Sequence, residues 1–170
     1  MVPVTIRTLI VSSAPGPSVI VLQPEEDPVQ PGKYRIVPIW IGVFEASQMS
    51  CALEHTKFER PMTHDLFLDA LTNLDATVDH VLISDVKGST FFARLALRQQ
   101  DRIVELDARP SDALALAARE DAPIYIDEDV LDAASYPYVQ KHPGDEEDQE
   151  AQIAEFHEFL EDITPEDFEE

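Results

Sequence analysis

Residues 90–98 constrain the fold most, because apolar and polar side chains alternate cleanly along them. One face of the predicted strand is apolar and the other carries two arginines: Phe91, Ala93, Leu95 and Leu97 against Arg94 and Arg98. A period of two is typical of a β-strand with one buried face. The neighbouring segments 77–86 and 102–107 also have strand character. A Lys-Gly-Ser turn at 87–89 joins segment 77–86 to segment 90–98. We therefore predict an antiparallel meander over 77–107.

The rest of the chain mixes short strands with helices. Runs rich in β-branched residues predict four further strands, at 4–11, 18–22, 34–42 and 123–127. Pro38 inside the third run suggests that this strand lies at an edge or carries a bulge. Apolar spacings of three and four predict helices at 43–55, from Thr63 onward and at 113–120, with a short helix or turn at 128–134. The predicted fold is α+β, a compact domain in which helices pack on a mixed, largely antiparallel sheet.

Two of the predicted helices carry start signals. Thr63 and Ser111 are the expected caps, because a hydroxyl can accept a bond from a first-turn backbone N–H. Asp112 complements the positive end of the second helix dipole. In the first helix the apolar residues fall on one face, which we expect to be buried: Leu66, Phe67, Ala70, Leu71 and Leu74.

Acidic residues are concentrated at the C-terminal end. The chain has 34 acidic and 12 basic residues, a formal net charge of −22. Thirteen of the acidic residues lie in 142–170, where Lys and Arg are absent. A His-Pro-Gly breaker at 142–144 marks the boundary, so we predict a domain over 1–141 and an acidic tail over 142–170. Apolar residues between 150 and 163 predict an amphipathic helix in the tail, whose stripe could bind a protein partner: Ile153, Phe156, Leu160 and Ile163.

Composition excludes several classes of protein. The negative charge argues against electrostatic capture of nucleic acid or an anionic membrane by the whole surface. Cys51 is the single cysteine, so an internal disulfide and a CxxC metal site are excluded. No apolar run approaches the roughly 18–20 residues of a membrane-spanning helix, and no targeting signal is visible. We expect a cytoplasmic protein without membrane contact.

The candidate chemistry lies at the ends of predicted elements, since P-loop, GxGxxG, HExxH, GxSxG and EF-hand motifs are all absent from the sequence. Asp107 ends a strand and Asp112 begins a helix, so their carboxylates could converge and hold Mg²⁺ or Mn²⁺. Arg109 between them would present a planar fork to a phosphate. Alternatively, Asp112 only caps a helix and Arg109 only pairs with Asp107.

Two further groups could contribute. His64, next to Asp65 at a helix start, could be a general base or a metal ligand, although such residues more often face solvent or bond a neighbouring loop. Arg94 and Arg98, with Arg102 nearby, form the only basic cluster in the sequence. They could follow a nucleic-acid backbone or simply solvate the outer face of a sheet.

Four blocks of sequence together resemble the bifunctional nuclease family. They are IVPIWIGVFEA (36–46), RPMTHDLFLDAL (60–71), GSTFFARL (88–95) and ELDARPSDALALAAR (105–119). The resemblance implies a compact α+β domain, a wedge-shaped homodimer with a groove for the active site, and hydrolysis of both RNA and DNA. Carried over by position, the motif residues are Glu45, Arg60, His64, Asp65, Asp107, Arg109, Ser111 and Asp112.

Three hypotheses about function follow. In the first, the protein is a metal-assisted phosphodiesterase: Asp107 and Asp112, with Asp65 as an optional third ligand, hold the cation. His64 is the candidate base, and Arg60 and Arg109 steady the phosphate. In the second, it is a non-catalytic regulatory module whose motif residues are caps and ion pairs, and the acidic tail docks on a partner. In the third, the tail covers the domain's own groove, and removal of 143–170 raises activity.

Overall fold

The computed structural model describes residues 1–12, 16–25 and 33–139. Its strands are β1 (Val2–Ile10), β2 (Ser18–Pro24), β3 (Lys33–Ile41), β4 (Ala76–Lys87), β5 (Thr90–Gln99), β6 (Arg102–Ala108), β7 (Ile124–Ile126) and β8 (Tyr136–Val139). Its helices are α1 (Val43–Leu53), α2 (Thr63–Asn73), α3 (Pro110–Glu120) and α4 (Glu128–Ala134). The predicted tail, 142–170, lies outside the described residues. None of the helices in the described part is long and apolar enough to cross a membrane.

All eight strands form one sheet in the order β6-β5-β4-β7-β1-β2-β3-β8. The pair β4–β7 is parallel, and the remaining pairs are antiparallel. The predicted α+β fold with a mixed, largely antiparallel sheet is therefore confirmed. The predicted meander is also confirmed, since β4, β5 and β6 follow one another as antiparallel neighbours.

The main core lies between the sheet and the helices. The alternation along β5 places Leu95 and its apolar neighbours in one cluster with Leu114 of α3 and Met49 of α1. The helix α3 is buried at every position from 113 to 117, and it contacts α1, β4 and β5. Arg94 and Arg98 are exposed, so the alternation directs them to the face of the sheet opposite this core.

The strand β3 has a neighbouring strand on only one side at Pro38, which fits the edge position predicted for this proline. The edge strand β8, which the sequence did not predict, pairs only with residues 33–36 of β3. Pro38 pairs with Val21 of β2 on the other side. Because β8 stops short of Pro38, the missing N–H does not interrupt a ladder there.

The prediction of a buried apolar face on α2 is largely wrong. Leu71 is the one buried residue of the helix, whereas Leu66, Phe67, Ala70 and Leu74 are exposed. The helix rests against β4 and α3 along one side only. An apolar stripe with the i, i+4 spacing of residues 66, 70 and 74 thus stays on the surface.

Both predicted helix caps are also wrong. Before α2 the capping residue is Met62, and its N–H donates to the Asp65 carboxylate at 2.9 Å. Thr63 is instead the first helical residue. Before α3 the capping residue is Arg109, because Pro110 takes the first helical position, where its missing N–H costs nothing. Ser111 is consequently buried in the first turn of α3 rather than capping it.

Candidate functional site

The starts of α1, α2 and α3 meet at one point on the surface and bring together residues far apart in the sequence. Glu45 comes from the first turn of α1, and His64 from the first turn of α2. Arg109 directly precedes α3, and Asp112 lies in its first turn. We call these four residues the ionic cluster.

Arg109 is the centre of the ionic cluster. Its Nε and Nη2 donate to the two Asp112 oxygens at 2.7 and 3.1 Å, and its Nη1 donates to Glu45 Oε1 at 2.9 Å. The bonds to Asp112 and Glu45 raise the pKa of Arg109, so it stays charged. The side chain is still 65% exposed, and a ligand can reach it. The ion pairs of Arg109 are thus with Asp112 and Glu45, and not with Asp107 as the sequence-based alternative proposed.

Gly42 allows Glu45 to reach Arg109. It is the capping residue of α1. The Glu45 carboxylate folds back over it so closely that a Cβ at this position would overlap Oε2. The absence of a side chain at Gly42 therefore leaves the space that the Glu45 carboxylate occupies, and this contact is invisible in the sequence.

His64 lies against Asp112 but is mostly buried. Its Nε2 is 3.6 Å from Asp112 Oδ1, and its side chain is 14% exposed. Burial lowers the pKa of His64, the charge of Arg119 lowers it further, and Asp112 opposes both. The Nδ1 atom is buried without a hydrogen-bond partner among the described residues. His64 is therefore neutral at pH 7, and Nε2 is the ring nitrogen directed at the ionic cluster.

Arg119 ties the three helices together beneath His64. Its side chain, only 10% exposed, donates from Nε to Asp65 Oδ1 at 2.9 Å, from Nη1 to Ala115 O at 3.0 Å and from Nη2 to Gln48 O at 3.4 Å. Burial raises the pKa of Asp65, but the Met62 N–H and Arg119 together hold it below its usual value. Asp65 is therefore an ionised anchor for α2.

A concavity of about 390 Å³ opens beside Arg109 and Glu45. Its wall includes the starts of two helices and the β4–β5 turn: Gly42, Pro110, Ser111, Ser89 and Thr90. First-turn N–H groups carry partial positive charge and favour anions. With the Arg109 guanidinium at its rim, the concavity has the chemistry to hold a phosphate group.

The remaining candidates lie apart from the ionic cluster. Asp107 lines a different concavity, of about 380 Å³, together with Asp85, Arg94 and Glu105. Arg94 donates to Glu105 at 2.9 Å, and Arg98 donates to Asp79 at 2.7 Å, so both cations are already paired. Arg60 is exposed in the connection between α1 and α2.

The predicted cation site of Asp107 and Asp112 has no support in the contacts of either residue. Both Asp112 oxygens accept from Arg109, whereas Asp107 faces the other concavity. Within the described ranges, no group of three or more His, Cys, Asp or Glu side chains is arranged to hold a metal ion. Assistance by Mg²⁺ or Mn²⁺ stays a prediction.

Comparisons with known proteins give matches over most of the chain. A family model described as the bifunctional nuclease domain matches residues 28–138, which contain the whole ionic cluster. Two proteins of Mycobacterium tuberculosis, one from strain CDC 1551 / Oshkosh and one from strain ATCC 25618 / H37Rv, are each 36% identical over 157 residues. Each alignment covers 86% of this chain and 91% of the relative, and both relatives are named only as uncharacterized proteins.

Proposed function

Because the chain belongs to the bifunctional nuclease domain family, we propose that it hydrolyses phosphodiester bonds in RNA and DNA at the ionic cluster. The observation that carries this proposal is the convergence of a charged arginine and a carboxylate from the start of α3 with a neutral histidine from α2. The guanidinium and the imidazole each have a role in phosphodiester hydrolysis. A guanidinium stabilises charge on the phosphate oxygens, and a neutral imidazole can take a proton from the attacking group.

His64 Nε2 accepts the proton of the attacking water, since Nδ1 is buried. As the new P–O bond forms, the P–O bond to the leaving oxygen breaks, and that oxygen takes a proton from solvent. Asp112, 3.6 Å from Nε2, stabilises the imidazolium that forms. Arg109 binds the phosphate at the concavity, where the first-turn N–H groups of α1 and α3 add partial positive charge. Glu45 occupies part of the Arg109 fork at present, so it swings aside when the phosphate binds.

The test uses two aspartates that lie on either side of the same turn. Asp112→Asn removes the charge beside His64, whereas Asp107→Asn removes a charge in the other concavity. Labelled single-stranded RNA and DNA are incubated with each variant in the presence of Mg²⁺, Mn²⁺ or EDTA. We expect Asp112→Asn to lose cleavage by about tenfold to a hundredfold or more, and Asp107→Asn to retain it.

Three outcomes would contradict parts of this proposal. Equal loss in both variants would restore the predicted role of Asp107 and Asp112 as joint cation ligands, provided that EDTA also abolishes cleavage. Cleavage that survives in Asp112→Asn, with native circular dichroism, would remove Asp112 from the site. No cleavage by the wild-type protein under any condition would favour the non-catalytic regulatory module.

A homodimer is the proposed assembly, and the exposed stripe on α2 supports it. Leu66 and Leu74 are large apolar side chains that are mostly exposed, and such a stripe is typical of a contact surface. Replacing Leu66 by Glu should shift the sedimentation coefficient from that of a dimer to that of a monomer. An unchanged coefficient would place the contact between copies elsewhere.

A further inference from the structure

Phe44 is a large apolar side chain that the fold leaves almost entirely in water. It lies in the first turn of α1 and is 85% exposed, whereas Ala46, Met49 and Ala52 of the same helix are buried. Burying a phenylalanine is normally favourable by about 1.5–3 kcal/mol. A ring this exposed therefore has room for a flat apolar ligand.

Phe44 directly precedes a member of the ionic cluster in the first turn of α1. The next residue, Glu45, accepts a hydrogen bond from Arg109. One turn along the same side of α1 is Gln48, whose carbonyl accepts from Arg119 of α3. Phe44 itself lies in solvent, and its link to Arg109 is its chain neighbour Glu45.

Charge limits how this protein can bind nucleic acid. The chain has a net charge of −22, and two carboxylates already pair with Arg109. Release of counterions by Lys and Arg, which dominates most nucleic-acid affinity, contributes little here. Affinity must then come from an uncharged contact, and stacking of a base on an aromatic ring is the strongest one that proteins use.

We propose that the Phe44 ring stacks on an unpaired base of single-stranded RNA or DNA while Arg109 binds the adjoining phosphate, an inference that rests on the proposed nuclease function. In a duplex both faces of each base are covered by neighbouring pairs, so the ring has no surface to stack on. Single strands are therefore the substrate class that this site selects.

Fluorescence anisotropy with labelled oligothymidylate and with a labelled duplex of equal length tests the proposal, with gels confirming that the probes stay intact. Phe44→Ala should weaken binding of the single strand about tenfold or more and leave duplex binding unchanged. Phe44→Trp should retain binding, and oligothymidylate should quench its added fluorescence relative to the wild type, which contains only Trp40. Ile103→Ala, which truncates an exposed apolar side chain on β6, should bind as the wild type does.

Three results would overturn the stacking proposal: unchanged single-strand binding by Phe44→Ala, equal weakening for both probes, or a change of sedimentation coefficient that assigns Phe44 to a contact between copies. Thermal melting of each variant separates these results from misfolding, because an exposed side chain should not alter the melting temperature. Cleavage is measured separately. Phe44-dependent binding without cleavage would overturn only the nuclease proposal, and cleavage with Phe44-independent binding would overturn only the stacking.

Discussion

At the scale of single residues, the protonation of His64 is the property most open to measurement. Burial and the charge of Arg119 lower its pKa from the ordinary value of 6.5, and Asp112 raises it. The unfolded chain thus binds a proton at a higher pH than the folded one does. The contribution of neutral His64 to stability is complete above pH 6.5 and is lost as the pH falls below that value.

We therefore expect NMR titration of the His64 ring to give a pKa below 6.5. Arg119→Met should raise that pKa because it removes a positive charge, and Asp112→Asn should lower it further because it removes a negative one. The acid limb of the pH–activity profile should move in the same direction in each variant. Movement in the opposite direction in either variant would contradict the assigned electrostatics.

A second prediction concerns Gly42. A Cβ at this position would overlap the Glu45 carboxylate, so Gly42→Ala should push Glu45 away from Arg109. Since Glu45 competes with phosphate for the guanidinium, Gly42→Ala should tighten binding of oligothymidylate severalfold, as should Glu45→Gln. Isothermal titration calorimetry measures both affinities.

The backbone at Gly42 is extended, with φ −72° and ψ 165°, so alanine causes no strain there. The melting temperature should consequently stay close to that of the wild type. Weaker binding by Gly42→Ala would show that Glu45 helps to hold the ligand rather than competing with it.

The sequence identified part of this site and missed the rest for a physical reason. Glu45, His64, Arg109 and Asp112 follow from the matching motifs, because each lies within a recognisable block. Arg119 ends one of the same blocks, but it lies in the Ala/Leu-rich part of a helix, where its local sequence does not distinguish it from a surface residue. Its role depends on three helices meeting, which is a property of packing and not of local sequence.

At the scale of elements, the docking of α2 depends on the pair Arg119–Asp65. Arg119 is nearly buried and Asp65 is about one third exposed. Breaking this pair should therefore cost less free energy of unfolding than breaking a fully buried pair. Arg119→Met should lower the free energy of unfolding by about 2 kcal/mol. Urea denaturation with an unchanged m-value measures this loss.

Arg94→Met is the matched control for that prediction. Arg94 pairs with Glu105 at the same distance, 2.9 Å, but both side chains are more than half exposed. Such a pair contributes about 0–1 kcal/mol. Equal destabilisation by the two substitutions would contradict the structural role of Arg119.

The elements themselves were more predictable than their contacts. Alternation identified the three strands of the meander, since the period of two is a direct consequence of one buried face. The strand β8 escaped prediction because its four residues, with a proline among them, carry no period. The surface stripe of α2 was misassigned to the core, because periodicity shows that a helix has an apolar face but not what covers it.

At the scale of the whole molecule, the net charge of −22 should reduce stability through mutual repulsion of carboxylates. Raising the salt concentration screens that repulsion, with a Debye length that falls from about 30 Å at 0.01 M to about 10 Å at 0.1 M. We expect the melting temperature, measured by circular dichroism at pH 7, to rise over this range. A fall would mean that ion pairs such as those of Arg109 outweigh the repulsion.

The position of β7 has a consequence for how the chain is made. This three-residue strand lies between β1 and β4, yet it is synthesised after both groups of strands that it joins. During translation, β1 and β4 would each be an unpaired edge strand until β7 is synthesised. A chain that stalls on the ribosome before residue 124 would leave the edges of β1 and β4 unpaired, together with the edge of β3 that β8 later covers. Unpaired strand edges are the surfaces through which incomplete β proteins aggregate.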